Sequence, residues 1–479
     1  MAKLKLFGSS RGAAHMAQRG GKKENTAGEE KAPRQKKPLK TIAILLAVIL
    51  FLEGLYFFCI YTNNAFVKKY RTIYITTAMN TMTHQWLATY FIPADVIDTV
   101  MYDYGMALGE AIGKESSWSR TEQPEAADPG AQAASSQEGK PVSERPVEIE
   151  NIPSEKEPSV SVIVPEDMSP EEIEAMARNE FYQLFWELDQ DSFDRFVAAN
   201  PEVLENGWDQ IHINEAGFED DGIDAYTIYD EQVLGIDAEN GVLLVRVKGT
   251  SWRGVLAIAK DPAMLNIEMS AYIGSYGQTC AEIAESHDGI LSMNANAFWD
   301  EDEQGNQGNG NGGIIAGYTR SNGTAYGDHF TAWGYKRLEL HEDNLMYIKD
   351  VGRSVSSDCT DCCEFAPAMI IDGKQIVDYG YTGTQPRAAI GQSDKYEILM
   401  MVIEGRQTQS LGTDVNTCIE IMMQHHCMQA MNLDGGSSAM LWFDGKECIS
   451  SSSKPLRYYG GRPLPNAWVY HSAGWTPEE

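Results

Sequence analysis

The stretch Asn432-Leu433-Asp434-Gly435-Gly436-Ser437-Ser438 places a carboxylate directly before two glycines and two hydroxyl residues. Glycines let backbone N–H groups approach a ligand closely, and serine hydroxyls add donors to the same concavity. The apolar residues before it predict a short strand over residues 430–432, which would deliver Asp434 at a strand end. Such a turn can bind an anion beside a carboxylate, although the same letters also form ordinary turns in which Asp434 and Asn432 act only as caps.

The chain around this turn alternates short β-like runs with one helical stretch. Apolar runs predict strands, and Asp-Gly between apolar flanks predicts two-residue hairpins; these cover residues 242–247, 254–259, 369–377 and 440–446. Apolar residues at helical spacing predict a helix over residues 414–429. We therefore expect an α+β domain over residues 222–479, with a mixed or antiparallel sheet whose loops carry the polar motifs.

Several other motifs occur in a fixed order around this turn. They are Asn294-Ala295-Asn296-Ala297-Phe298-Trp299-Asp300, Pro386-Arg387-Ala388-Ala389-Ile390-Gly391, Glu404-Gly405-Arg406 and Arg462-Pro463-Leu464-Pro465-Asn466-Ala467. Together with the Asp434 turn, this set resembles the phosphodiester glycosidase family over residues 222–471. Ser437 stands where the family usually has a third glycine, and Ala388 where it usually has threonine. Neither difference removes a charged group.

The resemblance implies hydrolysis of a sugar-1-phosphodiester at the anomeric carbon. Phosphate leaves easily, so a general acid is less necessary than a carboxylate that activates water or stabilises the oxocarbenium-like centre. We expect Asp434 to be the principal carboxylate, with Glu404 or Asp300 as the second. The alternative for Glu404 is a plain surface pair with Arg406.

A phosphate calls for guanidinium groups and oriented backbone donors, because arginine offers planar, bidentate hydrogen bonds. We expect the phosphate to be held by Arg387 and Arg406, helped by the turn residues Gly435, Gly436 and Ser437. Asn294 and Asn296, together with Asn432, would bind sugar hydroxyls or fix the catalytic loop.

The N-terminal region predicts a membrane anchor. Residues 1–40 contain eleven Lys and Arg against three Glu and predict a disordered basic tail. Residues 41–61 are long and apolar enough for one transmembrane helix, and the long charged region before them argues against the alternative of a cleaved signal peptide. The positive charge before the helix predicts a cytoplasmic N-terminus and an extracytoplasmic C-terminal part in a single-pass protein of the cell membrane.

Three further regions separate this anchor from the α+β domain. Residues 62–113 predict a membrane-proximal helical segment, and the composition of residues 114–168 predicts a disordered acidic linker. Residues 169–221 form a helical lead-in, which begins with the N-cap pattern Ser169-Pro170-Glu171-Glu172.

Charge and cysteine content limit the ligands. The net charge is −31, which argues against nucleic acid as a partner and requires an anionic substrate to be bound locally.

Seven of the eight cysteines follow the apolar helix, on the predicted extracytoplasmic side where disulfides would persist. A zinc site is an alternative, and its ligands would come from Cys359, Cys362, Cys363, His425, His426 and Cys427. No cofactor is expected, although residues 300–311 resemble a calcium loop that lacks its final glutamate, so a divalent cation such as calcium stays open.

Two functions follow from these observations. The first is a membrane-anchored extracytoplasmic hydrolase that cleaves glycosyl-phosphate bonds in envelope or exopolysaccharide glycans. The second is a non-catalytic module that binds a glycan or phosphate during envelope assembly. Retention of Asp434 and Glu404 favours the hydrolase, because a protein that only binds an anionic polymer gains nothing from carboxylates that repel it.

Overall fold

A computed structural model describes residues 38–81, 84–119, 168–300, 310–331, 333–380, 382–452 and 459–476. Most of the predicted basic tail, most of the predicted linker and residues 301–309 of the calcium-like loop lie outside the described residues. The chain divides between Phe58 and Cys59 into two compact units.

Eight α-helices occur in the described residues. They are α1 Pro38–Tyr61, α2 Ala65–Met79, α3 Trp86–Thr89, α4 Ala94–Glu110, α5 Pro170–Leu184, α6 Gln190–Ala199, α7 Cys280–Ser286 and α8 Val415–Gln424. Within α1, Ile42–Tyr61 is the one described helix that is long and apolar enough to cross a membrane.

The strands begin after α6. They are β1 His212–Asn214, β2 Gln232–Asp237, β3 Val242–Lys248, β4 Arg253–Ala259, β5 Leu265–Met269, β6 Gly289–Asn294, β7 Ala297–Phe298, β8 Ile315–Ala316, β9 Thr319–Ser321, β10 Thr324–Tyr326, β11 Lys336–His341, β12 Met346–Asp350, β13 Cys359–Phe365, β14 Ala368–Ile371, β15 Lys374–Gln375, β16 Arg387–Ser393, β17 Ile398–Ile403, β18 Cys427–Asn432, β19 Leu441–Phe443, β20 Lys446–Glu447 and β21 Asn466–His471.

The described strands pair antiparallel. The largest sheet has nine strands in the order β1-β2-β3-β4-β17-β16-β18-β14-β15, and two five-stranded sheets follow the orders β10-β9-β13-β11-β12 and β20-β19-β6-β21-β5. One apolar core fills the space between the three sheets, and a second lies between the nine-stranded sheet and helices α5, α6 and α8. The predicted α+β class is thus confirmed.

The hairpin signals at Asp372-Gly373 and Asp444-Gly445 coincide with turns. β14 pairs with β15 and β19 with β20, and both Asp-Gly pairs have positive φ, as two-residue hairpin turns require. The helix expected over residues 414–429 is shorter than predicted. α8 ends at Gln424 because His426, with φ of 56°, turns the chain into β18.

The membrane-proximal helices belong to the second compact unit and pack on its sheet domain. Thr384 donates its backbone N–H to Thr77 Oγ1 of α2 at 2.9 Å. The hydroxyl of Ser116 donates to Gln429 Oε1 of β18 at 2.8 Å. Packed chain therefore extends past the predicted boundary at residue 113.

The helical lead-in is held to the same sheet by a buried ionic cluster. Lys260, next to the end of β4, contacts Glu187 at 2.6 Å and Glu397 at 2.8 Å, and all three side chains are almost fully buried. Burial raises the pKa of Glu187, whereas Lys260 opposes this shift. One ammonium group thus pairs with two carboxyl groups that come from separate parts of the chain.

Replacing this lysine tests the cluster. We expect Lys260→Met to lower the free energy of unfolding by about 3 kcal/mol, because it leaves two buried carboxylates without a counter-charge. The loss should be smaller at pH 5 than at pH 8, since protonation removes the uncompensated charges. Urea unfolding at both pH values measures this, with exposed Lys374→Met as the matched control. An equal loss at both pH values would contradict the electrostatic explanation.

Candidate active site

The turn that carries Asp434 follows β18 and is fixed against β16. Leu433 donates its N–H to the Ala388 carbonyl at 2.8 Å, and Gly436 donates to the Pro386 carbonyl at 3.0 Å. Gly436 has φ of +62°, and a Cβ on Gly435 would lie 2.5 Å from the Pro386 oxygen. Both glycines are therefore required by the backbone of the turn.

The carboxyl of Asp434 has an altered proton affinity. Burial, which is the largest cause, and the nearby carboxylate of Asp300 raise its pKa to about 6. A hydrogen bond with Ser438 and the charges of Arg462 and Arg406 act in the opposite direction without cancelling the shift. A carboxyl with a pKa near the working pH can exchange a proton during a reaction.

Asp300 lies beside Asp434, held by an arginine. Arg462 donates from Nη2 to Asp300 Oδ1 at 2.6 Å and from Nη1 to Asp300 Oδ2 at 3.1 Å. The same Nη1 donates to the hydroxyl of Ser437 at 3.1 Å. This bidentate pair fixes the Asp300 carboxylate and links it to the glycine turn.

Arg406 is the cation of the site that has no carboxylate partner among the described residues. A Cβ on Gly436 would lie 3.2 Å from Arg406 Nη1, so the guanidinium faces the turn, and Asp434 contributes to its electrostatic surroundings. Burial lowers the pKa of Arg406, although the group stays charged. Its backbone φ of +58° is unusual for a side chain other than glycine, and such strain often accompanies functional sites.

Arg387 is placed differently from the prediction. Its guanidinium is buried and donates to the carbonyls of Thr413 at 3.1 Å and Gly383 at 2.9 Å, and to Thr382 at 3.2 Å. Arg387 therefore organises the loops beside the site, and its donors are directed at backbone oxygens rather than at open space. Burial lowers its pKa.

Glu404 is not brought to Asp434. Its carboxylate is fully buried and accepts from Arg253 Nε at 2.8 Å, Arg253 Nη2 at 3.3 Å and the Ser450 N–H at 3.0 Å. These bonds tie the end of β17 to β4 and to residue 450. Neither the expected second carboxylate role nor the surface pair with Arg406 fits this placement, because Glu404 is buried and already paired.

The predicted asparagines shape the site. Asn294 Nδ2 donates to the Asp434 carbonyl at 2.7 Å, and its Oδ1 accepts from the Met440 N–H at 3.2 Å. Asn296 is buried and exchanges hydrogen bonds with Asn466 at 3.0 and 3.1 Å. Asn432 Nδ2 donates to the Ala366 carbonyl at 3.0 Å. Of the two predicted roles, fixing the loop agrees with these contacts.

A small cavity opens beside the turn. It has a volume of about 250 Å³ and is lined by Arg406, Gln407, Thr408, Gln409 and Ser452. The hydroxyl of Ser452 is buried without a hydrogen-bond partner among the described residues. The cavity thus offers a cation that faces the glycine turn and a buried hydroxyl.

The sequence did not assign a role to Arg462 or Ser438. The signal for Arg462 was its position at the head of an ordered motif, but its partner Asp300 lies 162 residues away in the chain. Such a long-range pair is visible only in the folded structure.

Metal ligands do not cluster in the described part of the chain. No group of three or more His, Cys, Asp or Glu side chains there is arranged to hold a metal ion. All eight cysteines are unbonded. The residues of the zinc alternative lie apart: His425 pairs with Glu231 at 3.0 Å, Cys427 begins β18 of the nine-stranded sheet, and Cys362 and Cys363 lie in β13 of a five-stranded sheet.

Comparisons with known proteins address the predicted resemblance. Residues 288–471 match the family model described as "Phosphodiester glycosidase". The catalytic domain of zebrafish N-acetylglucosamine-1-phosphodiester alpha-N-acetylglucosaminidase is similar with 13% identity and a TM-score of 0.39, covering 48% of this chain and 82% of that chain. A hypothetical protein from Synechocystis is similar with 13% identity and a TM-score of 0.34, covering 52% of this chain and 65% of that chain. No curated protein matches the chain.

The matched range contains Asn294, Asp300, Arg406, Asp434 and Arg462, which are the residues that the structure brings to the glycine turn. The resemblance to the phosphodiester glycosidase family, predicted from the ordered motifs, is thereby confirmed for residues 288–471.

Proposed function

We propose that this protein hydrolyses a sugar-1-phosphodiester, with Asp434 as the reacting carboxyl. The observation that carries the proposal is the arrangement of three groups at one turn: a carboxyl with a pKa of about 6, a carboxylate held by Arg462, and the unpaired guanidinium of Arg406. A site that only bound a phosphate would be weakened by two carboxylates at close range.

In the proposed reaction, water attacks the anomeric carbon and the bond between that carbon and the phosphate oxygen breaks. The phosphomonoester leaves with the bonding electrons, while Asp434 in its carboxylate form takes a proton from water. Arg406 binds the phosphate and stabilises the negative charge that it gains. Asp300, fixed by Arg462, stabilises positive charge at the sugar ring.

We further propose that α1 anchors the protein in the cell membrane with the site on the extracytoplasmic side. The length and apolar character of Ile42–Tyr61 and the basic residues before it support this orientation. The substrate would then be a glycan of the envelope or an exopolysaccharide. A panel of sugar-1-phosphodiesters that includes N-acetylglucosamine-1-phospho-6-mannose tests hydrolysis on the full chain in detergent.

The pKa of Asp434 predicts a pH profile. If its carboxylate is the base, the rate at saturating substrate should fall about tenfold per pH unit below about pH 6 and be level above pH 7. Asp434→Asn should abolish the reaction. Release of reducing sugar between pH 4.5 and 8 measures both effects, and a wild-type rate that rises towards pH 5 would contradict the base assignment.

The same shift predicts a stability effect that does not depend on substrate. The pKa of Asp434 in the folded state lies above its ordinary value of 3.8, so the folded state loses stability as pH rises from about 4 through about 6. Asp434→Asn should therefore unfold with a free energy about 1–2 kcal/mol higher at pH 8 and be near the wild type at pH 4. Urea unfolding at both pH values provides the measurement. A variant less stable at pH 8 would contradict the desolvated site.

The roles of Arg406 and Glu404 can be separated by substitution. Arg406→Ala should lower kcat/KM about 30-fold, which corresponds to about 2 kcal/mol for a hydrogen-bonded charge, and Arg406→Lys should recover part of it. Exposed Arg353→Ala is the matched control and should change little. Glu404→Gln should mainly lower the urea midpoint, because it breaks the pair with Arg253. A folded Glu404→Gln protein without activity would restore Glu404 as a catalytic candidate.

A further inference from the structure

The helices that follow the apolar helix α1 expose an unusual number of aromatic side chains. Between residues 66 and 91, six aromatic side chains are exposed, whereas the described residues after 168 expose five. The six, which we call the aromatic face, are Phe66, Tyr70, Tyr74, Trp86, Tyr90 and Phe91. Exposed apolar surface that is concentrated in one segment is typical of an interaction site.

Contacts bring the aromatic residues of α2 and α3 together. Phe66, Tyr70 and Tyr74 recur every four residues, so they share one face of α2, and the rings of Phe66 and Tyr70 are 4.7 Å apart. The hydroxyl of Tyr74 donates to the Leu87 carbonyl of α3 at 2.7 Å. Because Trp86 precedes Leu87 in the chain, this bond places the exposed rings of both helices in one region.

The same helices have a core of their own, which does not include the aromatic face. Its buried members are Ile60, Ile75, Ala78, Ala88, Ile92 and Ile97. The packing of the helices against one another therefore does not explain why six large rings stay exposed beside it.

The end of the apolar helix is fixed to α2. Arg71 of α2 donates from Nη1 to the carbonyls of Cys59, Ile60 and Thr62, at 3.1, 2.6 and 3.1 Å. The last carbonyls of a helix have no partner within it, so Arg71 stabilises the turn between the two helices. Only three residues separate α1 from α2, and α2 therefore begins within about 14 Å of the end of α1.

Charge distinguishes this segment from the rest of the chain. The protein contains 69 Asp and Glu, yet none occurs between residues 54 and 94, where Lys68, Lys69 and Arg71 are the charged residues besides His84. The exposed acids nearest to the aromatic face in sequence, Asp95 and Asp98, belong to α4. A segment without carboxylates can approach lipid phosphates, which the remaining acidic surface would repel.

We propose that the aromatic face lies in the head-group region of the bilayer that α1 crosses, so that α2 and α3 rest on the outer surface of the membrane. This inference rests on the proposed anchoring by α1 and adds a second contact with lipid. Tyr and Trp favour the head-group region, because their rings enter its apolar boundary while their O–H and N–H groups stay hydrated.

This contact would fix the orientation of the candidate site relative to the membrane. Asn80, directly after α2, donates from Nδ2 to the Thr382 carbonyl at 3.3 Å. Four residues later in that loop, the Pro386 carbonyl accepts from the N–H of Gly436 in the Asp434 turn at 3.0 Å. The packed helices, rather than the linker that follows α4, would thus determine how far the site stands from the lipid.

Nitroxide labels on the full-length protein in nanodiscs of phosphatidylcholine and phosphatidylglycerol test this contact. A Cys59→Ser background removes the exposed cysteine, since the other seven are buried. Tyr70→Cys and Tyr90→Cys then carry labels on the aromatic face, and Phe51→Cys carries one on α1. Ile228→Cys is the control, because Ile228 is similarly exposed but lies in the sheet domain before β2.

Collision rates of each label are measured with oxygen, which dissolves in lipid, and with a water-soluble nickel chelate. The ratio of the oxygen rate to the nickel rate at Tyr70→Cys and Tyr90→Cys should be several times that of the control and approach that of Phe51→Cys.

The outcomes separate this inference from the anchor and from the hydrolase, because no label depends on turnover. Ratios on the aromatic face as low as the control, beside a high ratio on α1, would overturn the lipid contact and leave the anchor. High ratios on the aromatic face beside a low one on α1 would support the contact and overturn only the anchor. Low rates with both reagents on the aromatic face would indicate a protein cover, such as a second copy of this chain, and would also overturn the lipid contact.

Discussion

The candidate site depends on the desolvation of one carboxyl group. Asp434 is placed at the end of β18 by backbone bonds to β16, and the sheet gives it no cation in direct contact. Asp300 takes the bidentate pairing of Arg462, and Arg406 influences Asp434 only through space. A direct ion pair would lower the pKa of Asp434 and remove its ability to exchange a proton near neutral pH. Arg462 therefore lies near Asp434 without forming an ion pair with it, and the raised pKa of Asp434 depends on the absence of that pair.

The arginines and acids of the motifs divide into two groups by their partners. Arg387 and Glu404 are buried with partners that satisfy them, and they hold the loops on which the site is built. Arg406 has no carboxylate partner among the described residues, and Asp434 has a hydrogen bond with Ser438 but no directly paired cation there. A buried polar group whose hydrogen bonds are all formed within the protein stabilises the fold, whereas a group without such partners can form hydrogen bonds with a ligand. This distinction assigns roles that residue type alone leaves open.

Local sequence patterns were sufficient to predict the secondary-structure elements. They were much less informative about which side chains pair across the fold. The Asp-Gly hairpins and the Ser169 capping box depend on neighbours within a few residues, so their patterns predicted them directly. The end of α8 was misplaced because apolar residues continue from the helix into the buried strand β18, and periodicity does not distinguish the two. The pairs Arg462–Asp300 and Arg253–Glu404 join residues more than 150 positions apart, and only the sheet order determines them. The sequence therefore predicted one phosphate-binding role for both Arg387 and Arg406, whereas their contacts in the fold differ.

The net charge of the chain limits how the site can bind an anion. A chain with a net charge of −31 repels an anionic glycan at long range, so binding must come from cations at short range. Arg462 is neutralised by Asp300 and Arg387 is enclosed by carbonyls, which leaves Arg406 as the cation at the turn that is free to bind an anion.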